Sequence, residues 1–153
     1  MKKHQLENVK KPDSNQKICF GLILLLANRM QTKIDNYMED LTLKQWLLLC
    51  MLSNIKEEAI NVNNLASVVG YSRQNVKKMV DILVKKEYLI LEASTTDKRA
   101  FDICLTEKSQ RFIVEFEKLG DELLDKIFEG ISEEKIEELG NTMRIIADNL
   151  DEL

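Results

Sequence analysis

The sequence is poor in the residues that build metal sites and disulfide frameworks. It has 153 residues with one histidine, three cysteines, five glycines and one proline. Cys19, Cys50 and Cys104 lack the spacing of metal ligands, and their odd number argues against a disulfide framework. His4 lies in a polar leader, so no cluster of histidine, cysteine and carboxylate residues indicates an enzyme, a metal site or a cofactor.

Export signals and long apolar runs are also missing. The polar N-terminus shows no apolar segment followed by a small-residue cleavage site. The apolar run over residues 18–27 is shorter than the roughly 20 residues that a membrane helix needs. We therefore expect a cytoplasmic protein with free thiols and no membrane partner.

What is present indicates a mainly helical protein with one basic segment. Hydrophobic residues make up 44% and aromatic residues 6%, with few helix breakers. The net charge of −4 does not suggest nucleic-acid binding. Residues 71–100, however, hold seven basic and four acidic residues, whereas residues 106–153 hold six basic and fourteen acidic ones. Local positive charge of this kind is what phosphate binding needs.

A helix-turn-helix is predicted within the basic segment and just before it. Asn61 can cap a first helix, Gly70 suits its left-handed end, and Ser72 can cap a second helix. The first helix has one apolar face, made of Val62, Leu65, Ala66, Val68 and Val69. The buried side of the second is predicted to hold Val76, Met79, Val80, Leu83 and Val84. Two short helices joined by a glycine-containing turn are typical of DNA-binding modules.

The other side of the second helix carries polar side chains suited to DNA. Arginine pairs with guanine, asparagine or glutamine pairs with adenine, and lysine meets phosphate. The predicted DNA-binding residues are Ser72, Arg73, Gln74, Asn75, Lys77 and Lys78, and Asp81 lies on the same side. An ordinary solvated helix face is the alternative explanation.

A β-hairpin after this helix favours DNA binding. Residues 89–93 and 101–105 both alternate in the manner of half-buried strands. The loop between them contains Asp97, Lys98 and Arg99, of which Arg99 can enter the minor groove while Asp97 orients its guanidinium. An exposed hairpin turn without a ligand is the alternative. We predict a mainly α fold with a small β-hairpin wing: a winged helix-turn-helix with N- and C-terminal dimerisation helices.

The chain ends are predicted to associate. Ser14 can cap a long helix to about Met38, and its first half is apolar on every side and must be buried on every side. Thr42 and Gln45 fit a capping box before a core helix, in which Trp46 is a core anchor or, alternatively, the wall of a ligand pocket. Two amphipathic helices follow the wing. We divide the chain into a leader at 1–13, an N-terminal dimerisation helix at 14–41, a DNA-binding domain at 42–105 and C-terminal dimerisation helices at 106–153. A homodimer would present two recognition helices to successive major grooves.

The order of these elements resembles the MarR family of bacterial transcriptional regulators over nearly the whole chain. The resemblance lies in residues 61–70 and 72–80, in Lys85–Ile90, in Asp97-Lys-Arg99 and in Leu105-Thr106. The family usually has glycine where this chain has Glu87, which suggests that the preceding helix ends differently here. The resemblance implies a cytoplasmic homodimer that binds pseudo-palindromic double-stranded DNA, usually as a repressor, and is released by a small aromatic ligand or by thiol oxidation.

Cys19 is the candidate for a redox switch. The segment from Gln16 to Phe20 is similar to that of the peroxide-sensing branch of the family, although Lys33 and Leu43 stand where that branch has tyrosines. A buried and inert thiol is the alternative. For the whole protein, the alternative function is a winged-helix protein-interaction module without its own operator.

Overall fold

The computed structural model describes residues 14–55, 60–94 and 101–153 of the chain. In this part of the chain, six helices and two strands follow one another: α1 (Asn15–Asp35), α2 (Leu43–Asn54), α3 (Val62–Val69), α4 (Arg73–Lys85), β1 (Leu89–Ala93), β2 (Phe101–Leu105), α5 (Glu107–Ile127) and α6 (Glu133–Asp151). The predicted fold class, a mainly helical winged helix-turn-helix, is confirmed. Two compact units are present, one ending at Gln110 and one spanning Arg111–Leu153.

Side-chain caps begin the helices where the sequence predicts them. Ser14 Oγ accepts a hydrogen bond from the Lys17 amide, and Thr42 and Gln45 form a complete capping box. Asn61 Oδ1 accepts from two amides at the start of α3. These contacts satisfy backbone donors that a helix leaves unpaired at its N-terminus. Ser132 holds the N-cap position of α6 but makes no capping hydrogen bond.

The core of the first unit lies where α2, α3, α4 and the base of the hairpin meet. Its fully buried large side chains are Leu48, Leu49, Leu65, Val76, Val80, Leu83 and Leu89. Gly70 ends α3 with a φ of 68°, the left-handed conformation that the sequence predicts there. The predicted apolar face of α3 is wrong at Val68, which is 51% exposed. Val68 lies at the edge of the buried side, about 60° around the helix from Leu65 but about 160° from Ala66.

The end of α4 corrects a prediction about Glu87. The Glu87 amide donates to the Val84 carbonyl at 3.0 Å, and the Tyr88 amide donates to the Leu83 carbonyl at 2.9 Å. This pair of bonds is a Schellman motif, which needs a residue in the left-handed conformation directly after the C-cap of the helix. Glu87 supplies it with a φ of 62°. The helix therefore ends as a glycine-terminated helix does, although the residue is glutamate.

The strands match their predicted bounds, but their burial is smaller than predicted. β1 and β2 are antiparallel, with Leu89 opposite Leu105 and Ala93 opposite Phe101. Leu89 and Ile103 are buried, whereas Leu91 and Phe101 are 41% and 59% exposed. The Ile103 amide donates to the Ile60 carbonyl at 2.8 Å, which ties the base of the hairpin to the chain before α3. The helices thus cover only one end of this two-stranded sheet.

A polar cluster fixes the end of α4 to the loop between α1 and α2. Tyr88 donates to Asp40 Oδ2 at 2.8 Å, and Lys86 Nζ lies 3.0 Å from Asp40 Oδ1. Lys108 Nζ lies 3.8 Å from the same carboxylate and 4.3 Å from the centre of the Tyr88 ring. The hydrogen bonds from Tyr88 and Lys86 lower the pKa of Asp40 below its ordinary value of 3.8. The carboxylate therefore stays ionised at neutral pH.

The helix α1 ends at Asp35, three residues before the predicted end at Met38. Asp35 Oδ1 accepts a hydrogen bond from the Leu43 amide at 2.6 Å, which turns the chain towards α2. No residue of α1 is buried, and Phe20, Leu24 and Leu25 are 68%, 52% and 47% exposed. No helix in the described residues is long and apolar enough to span a membrane.

In the second unit, the helices also expose apolar side chains. Phe116 and Leu123 on α5 are buried, and the rings of Phe112 and Phe116 stack with centroids 6.1 Å apart. No residue of α6 is buried. Its exposed apolar residues include Leu139, Met143, Ile145, Ile146 and Leu150.

Candidate nucleic-acid interface

Five of the predicted DNA-binding residues form an exposed surface on α4, which we call the α4 outer face. It consists of Arg73, Gln74, Asn75, Lys77 and Lys78, all of them exposed. The opposite side of the helix is held by Val76, Val80 and Leu83, which are at most 1% exposed. Because the buried side is fixed against the core, the direction in which the outer face points is also fixed.

Ser72 differs from the other predicted residues because it has a structural role. Its Oγ accepts a hydrogen bond from the Asn75 amide at 3.3 Å and so begins α4. The hydroxyl hydrogen remains available to donate to a phosphate, because the capping bond uses only the oxygen. A helix N-terminus also favours a nearby anion through its free amides and its dipole. The start of α4 therefore combines two features that suit a phosphate.

The α4 outer face is chemically suited to a DNA groove. It presents a guanidinium, two side-chain amides and two ammonium groups over less than two helical turns. Arginine, asparagine and glutamine make paired hydrogen bonds to base edges, and lysine contacts phosphate. The surface holds polar groups able to form both kinds of contact.

Some of the basic charge counted from the sequence is engaged elsewhere. Lys77 Nζ lies 3.1 Å from Asp81 Oδ2, and Lys86 pairs with Asp40. The charge count over residues 71–100 therefore overstates the charge available to phosphate. Sequence reasoning missed the Asp40 cluster because Asp40 is more than forty residues away from Lys86 and Tyr88.

The three predicted residues of the wing loop, Asp97, Lys98 and Arg99, lie outside the described residues. The two strands on either side of this loop are in register up to the pair formed by Ala93 and Phe101. Near the loop, Glu92 on β1 lies opposite Asp102 on β2. Two like charges facing each other are unfavourable in a sheet. The charge of the described wing is thus acidic.

The three thiols lie in different environments. Cys19 is exposed on α1 within the single chain. Cys50 and Cys104 are half-buried. Burial, followed by the nearby carboxylates of Glu92 and Asp102, raises the pKa of Cys104. Cys104 is therefore protonated at neutral pH and a poor nucleophile.

Sequence reasoning did not foresee an open groove of about 260 Å³ beside α3. It is lined by Ile55, Ile60, Asn63, Asn64, Ser67 and Val68. Val68, one of the lining residues, is exposed in this groove. Among the described residues, no group of three or more histidine, cysteine or carboxylate side chains is placed to hold a metal ion.

The comparisons with known proteins agree with this geometry. Residues 39–100 match a family model described as MarR family. A MarR/EmrR family transcriptional regulator from Acinetobacter sp. ADP1 is 20% identical, with 92% of this chain and 99% of that chain covered and a TM-score of 0.78.

Two other solved structures are similar. A MarR transcriptional regulator from Methanosarcina mazei Go1 is 21% identical, with 90% of this chain and 99% of that chain covered and a TM-score of 0.79. MepR from S. aureus, solved as a complex with DNA, is 21% identical with the same coverage and a TM-score of 0.75. These likenesses extend the shared fold well beyond the matched segment.

Proposed function

We propose, from the match of residues 39–100 to the MarR family model and from the geometry of α4, that this chain is a dimeric transcriptional regulator which binds pseudo-palindromic operator DNA. The observation that carries the proposal is the α4 outer face, a polar and basic surface whose direction is fixed by a buried apolar side. The S. aureus relative with the same fold was solved bound to DNA, which supports the same use of the fold here.

Each side chain of the interface has a separate role in this proposal. Arg73, Gln74 and Asn75 lie in the first turn of α4 and contact base edges in the major groove. Ser72, Lys77 and Lys78 contact phosphates, which set the position of the helix without selecting sequence. In the wing loop, Arg99 enters the minor groove, braced by Asp97, and Lys98 meets the backbone. We assign residues 42–105 to DNA binding.

The apolar residues that the single chain leaves exposed support the proposed homodimer. Leu24 and Leu25 on α1 and Ile145 on α6 are between 47% and 61% exposed. Surfaces of this kind mark interaction sites in soluble proteins. A second copy of the chain covers them, so residues 14–41 and 106–153 serve dimerisation, and the dimer positions two α4 helices on one DNA duplex in the cytoplasm.

Release from DNA is proposed to depend on a small aromatic ligand or on oxidation of Cys19. Cys19 is exposed in the single chain, and a thiol must be accessible to react with a peroxide, so the second route requires that the dimer contact on α1 leaves Cys19 open. Substituting Cys19→Ser would remove a response to organic hydroperoxide and leave DNA binding intact. A response that persists in this variant would leave the ligand route.

The test is selection of duplexes from a random DNA pool, followed by fluorescence anisotropy across a range of salt concentrations. Arg73→Ala should weaken binding to the selected duplex by about 1–3 kcal/mol for a lost guanine contact. Arg144→Ala on α6, whose side chain pairs with Asn141 of the same helix, is the matched control; with sedimentation showing that the variant still dimerises, it should bind as the wild type does. A wild-type protein that enriches no sequence and binds a scrambled duplex equally well would refute the proposal and favour a protein-interaction module.

A further inference from the structure

The side of α4 that is proposed to face DNA carries a carboxylate, which takes no part in the proposed DNA contacts. Asp81 lies on α4 with its side chain 50% exposed. Lys77 Nζ lies 3.1 Å from Asp81 Oδ2 and 3.3 Å from Asp81 Oδ1. A negative charge is unfavourable beside a polyanion, so its presence on this side of α4 calls for a functional explanation.

The ion pair contributes little to folding. Both side chains are half-exposed or more, at 66% for Lys77 and 50% for Asp81. Exposed pairs of this kind have small effects on stability. Lys77 precedes Asp81 in the chain. This is the less stabilising order, because an acidic residue stabilises a helix more when it precedes its basic partner than when it follows it. The fold therefore does not require an aspartate at this position.

The position of Asp81 places it near the edge of a DNA groove. Arg73, Lys77 and Asp81 follow one another at intervals of four residues, so they lie along one side of the helix. Asp81 is about 12 Å further along the axis than Arg73, given a rise of about 1.5 Å per residue. The major groove is about 12 Å wide, so a helix with Arg73 at the bases brings Asp81 towards the phosphates.

We propose that Asp81 is a specificity-determining residue, which weakens binding to non-operator DNA by engaging Lys77. This inference rests on the proposed function. In a non-specific complex, affinity comes almost entirely from phosphate contacts. Lys77 cannot then serve as a full phosphate contact, because Asp81 competes for its ammonium group and itself repels phosphate. On the operator, base contacts from the first turn of α4 fix the helix and depend less on Lys77.

The size of the effect follows from counterion release. Each phosphate contact changes the slope of log K against log salt by about 0.9. One additional contact therefore strengthens binding by about five-fold at 0.15 M salt, and by about the square of that factor when both protomers contribute. Asp81→Asn is expected to produce this gain on a scrambled duplex and a smaller gain on the operator, so the ratio between the two affinities falls.

The experiment compares Asp81→Asn with Glu39→Gln, which changes an exposed acidic residue outside α4 and gives the same change in net charge. Sedimentation first establishes that both variants have the oligomeric state of the wild type. Both variants are titrated with a selected duplex and its scrambled version across salt concentrations. A steeper slope and tighter non-specific binding for Asp81→Asn, absent in Glu39→Gln, support the proposal. The gain should disappear in the double variant Lys77→Gln with Asp81→Asn.

Two results would overturn the proposal while leaving the regulator intact. In the first, the wild type prefers the selected duplex to the scrambled one, but Asp81→Asn and Glu39→Gln bind the scrambled duplex with equal affinity. The other is a gain that survives removal of Lys77. A wild type that binds neither duplex in a salt-dependent way is a different result, since it refutes the proposed function and this inference with it.

Discussion

Substituting Glu87→Gly is expected to stabilise the protein, because Glu87 holds a backbone conformation that favours glycine. Its φ of 62° is the sole positive value at a non-glycine residue in the described ranges. The position is the left-handed residue of the Schellman motif at the end of α4, and its neighbours Leu83 and Tyr88 are 0% and 3% exposed. The Glu87 carbonyl also accepts a hydrogen bond from Thr106 Oγ1 at 2.9 Å. Packing on both sides therefore fixes this conformation.

Two opposing terms give the size of the effect. The left-handed conformation costs a residue with a Cβ about 1–2 kcal/mol. Part of this gain is lost, because the greater conformational freedom of glycine stabilises the unfolded chain by about 0.4–1 kcal/mol. The net stabilisation expected is about 0.5–1 kcal/mol, or a rise of a few degrees in Tm for a chain of this length.

Urea denaturation at one protein concentration would measure this change. The midpoint should rise for Glu87→Gly while the slope stays constant, since the surface exposed on unfolding is unchanged. Glu87→Ala is the matched control, because it removes the same side chain and keeps the Cβ that causes the strain. A Glu87→Gly protein no more stable than Glu87→Ala would refute the argument from backbone strain.

Three further predictions concern the first unit. Gly70→Ala should destabilise the protein by about 1 kcal/mol in the same assay, because its φ of 68° penalises a Cβ even though the added atom meets nothing within 4 Å. Asp40→Asn should lower stability at neutral pH by less than about 1 kcal/mol, since the carboxylate is half-exposed. Because the pKa of Asp40 is lowered in the folded state, its contribution exists above the ordinary value of 3.8 and is lost as pH falls through the folded pKa, so variant and wild type should converge in acid. Iodoacetamide at neutral pH should label Cys19 well before Cys104, as followed by peptide mass spectrometry; equal rates would contradict the effect of the raised pKa of Cys104.

Local signals in the sequence were sufficient to predict the elements of the first unit. Capping residues act on amides two or three positions away, so Thr42, Asn61 and Ser72 predict helix starts without any knowledge of the rest of the fold. The strand bounds follow from alternation and from the polar loop between them. These are short-range effects, and the structure confirms them.

Features that depend on distant contacts could not be predicted in this way. The pairing of Asp40 with Lys86 and Tyr88 joins segments that are distant in sequence, and each residue alone suggests only a solvated charge or a core ring. The exposure of Leu91 and Phe101 depends on how far the helices extend over the hairpin, which alternation does not reveal. The end of α4 is a related case, because buried neighbours impose a conformation that Glu87 would not choose.

The helix α1 shows the limit of arguing from periodicity to burial. An apolar surface all around a helix predicts that something covers it, yet α1 has no buried residue within the single chain. The apolar pattern indicates that burying the surface of this helix would be favourable, but it does not identify the molecule that buries it. For α1 the amount is large, since neighbouring leucines such as Leu24 and Leu25 are about half-exposed. If a second copy covers these residues, as we propose, then stability must rise with protein concentration, because association of folded chains shifts the folding equilibrium towards the folded state by mass action. A Tm that is independent of concentration, in a chain that sediments as a monomer, would leave these leucines in water and refute the proposed dimer.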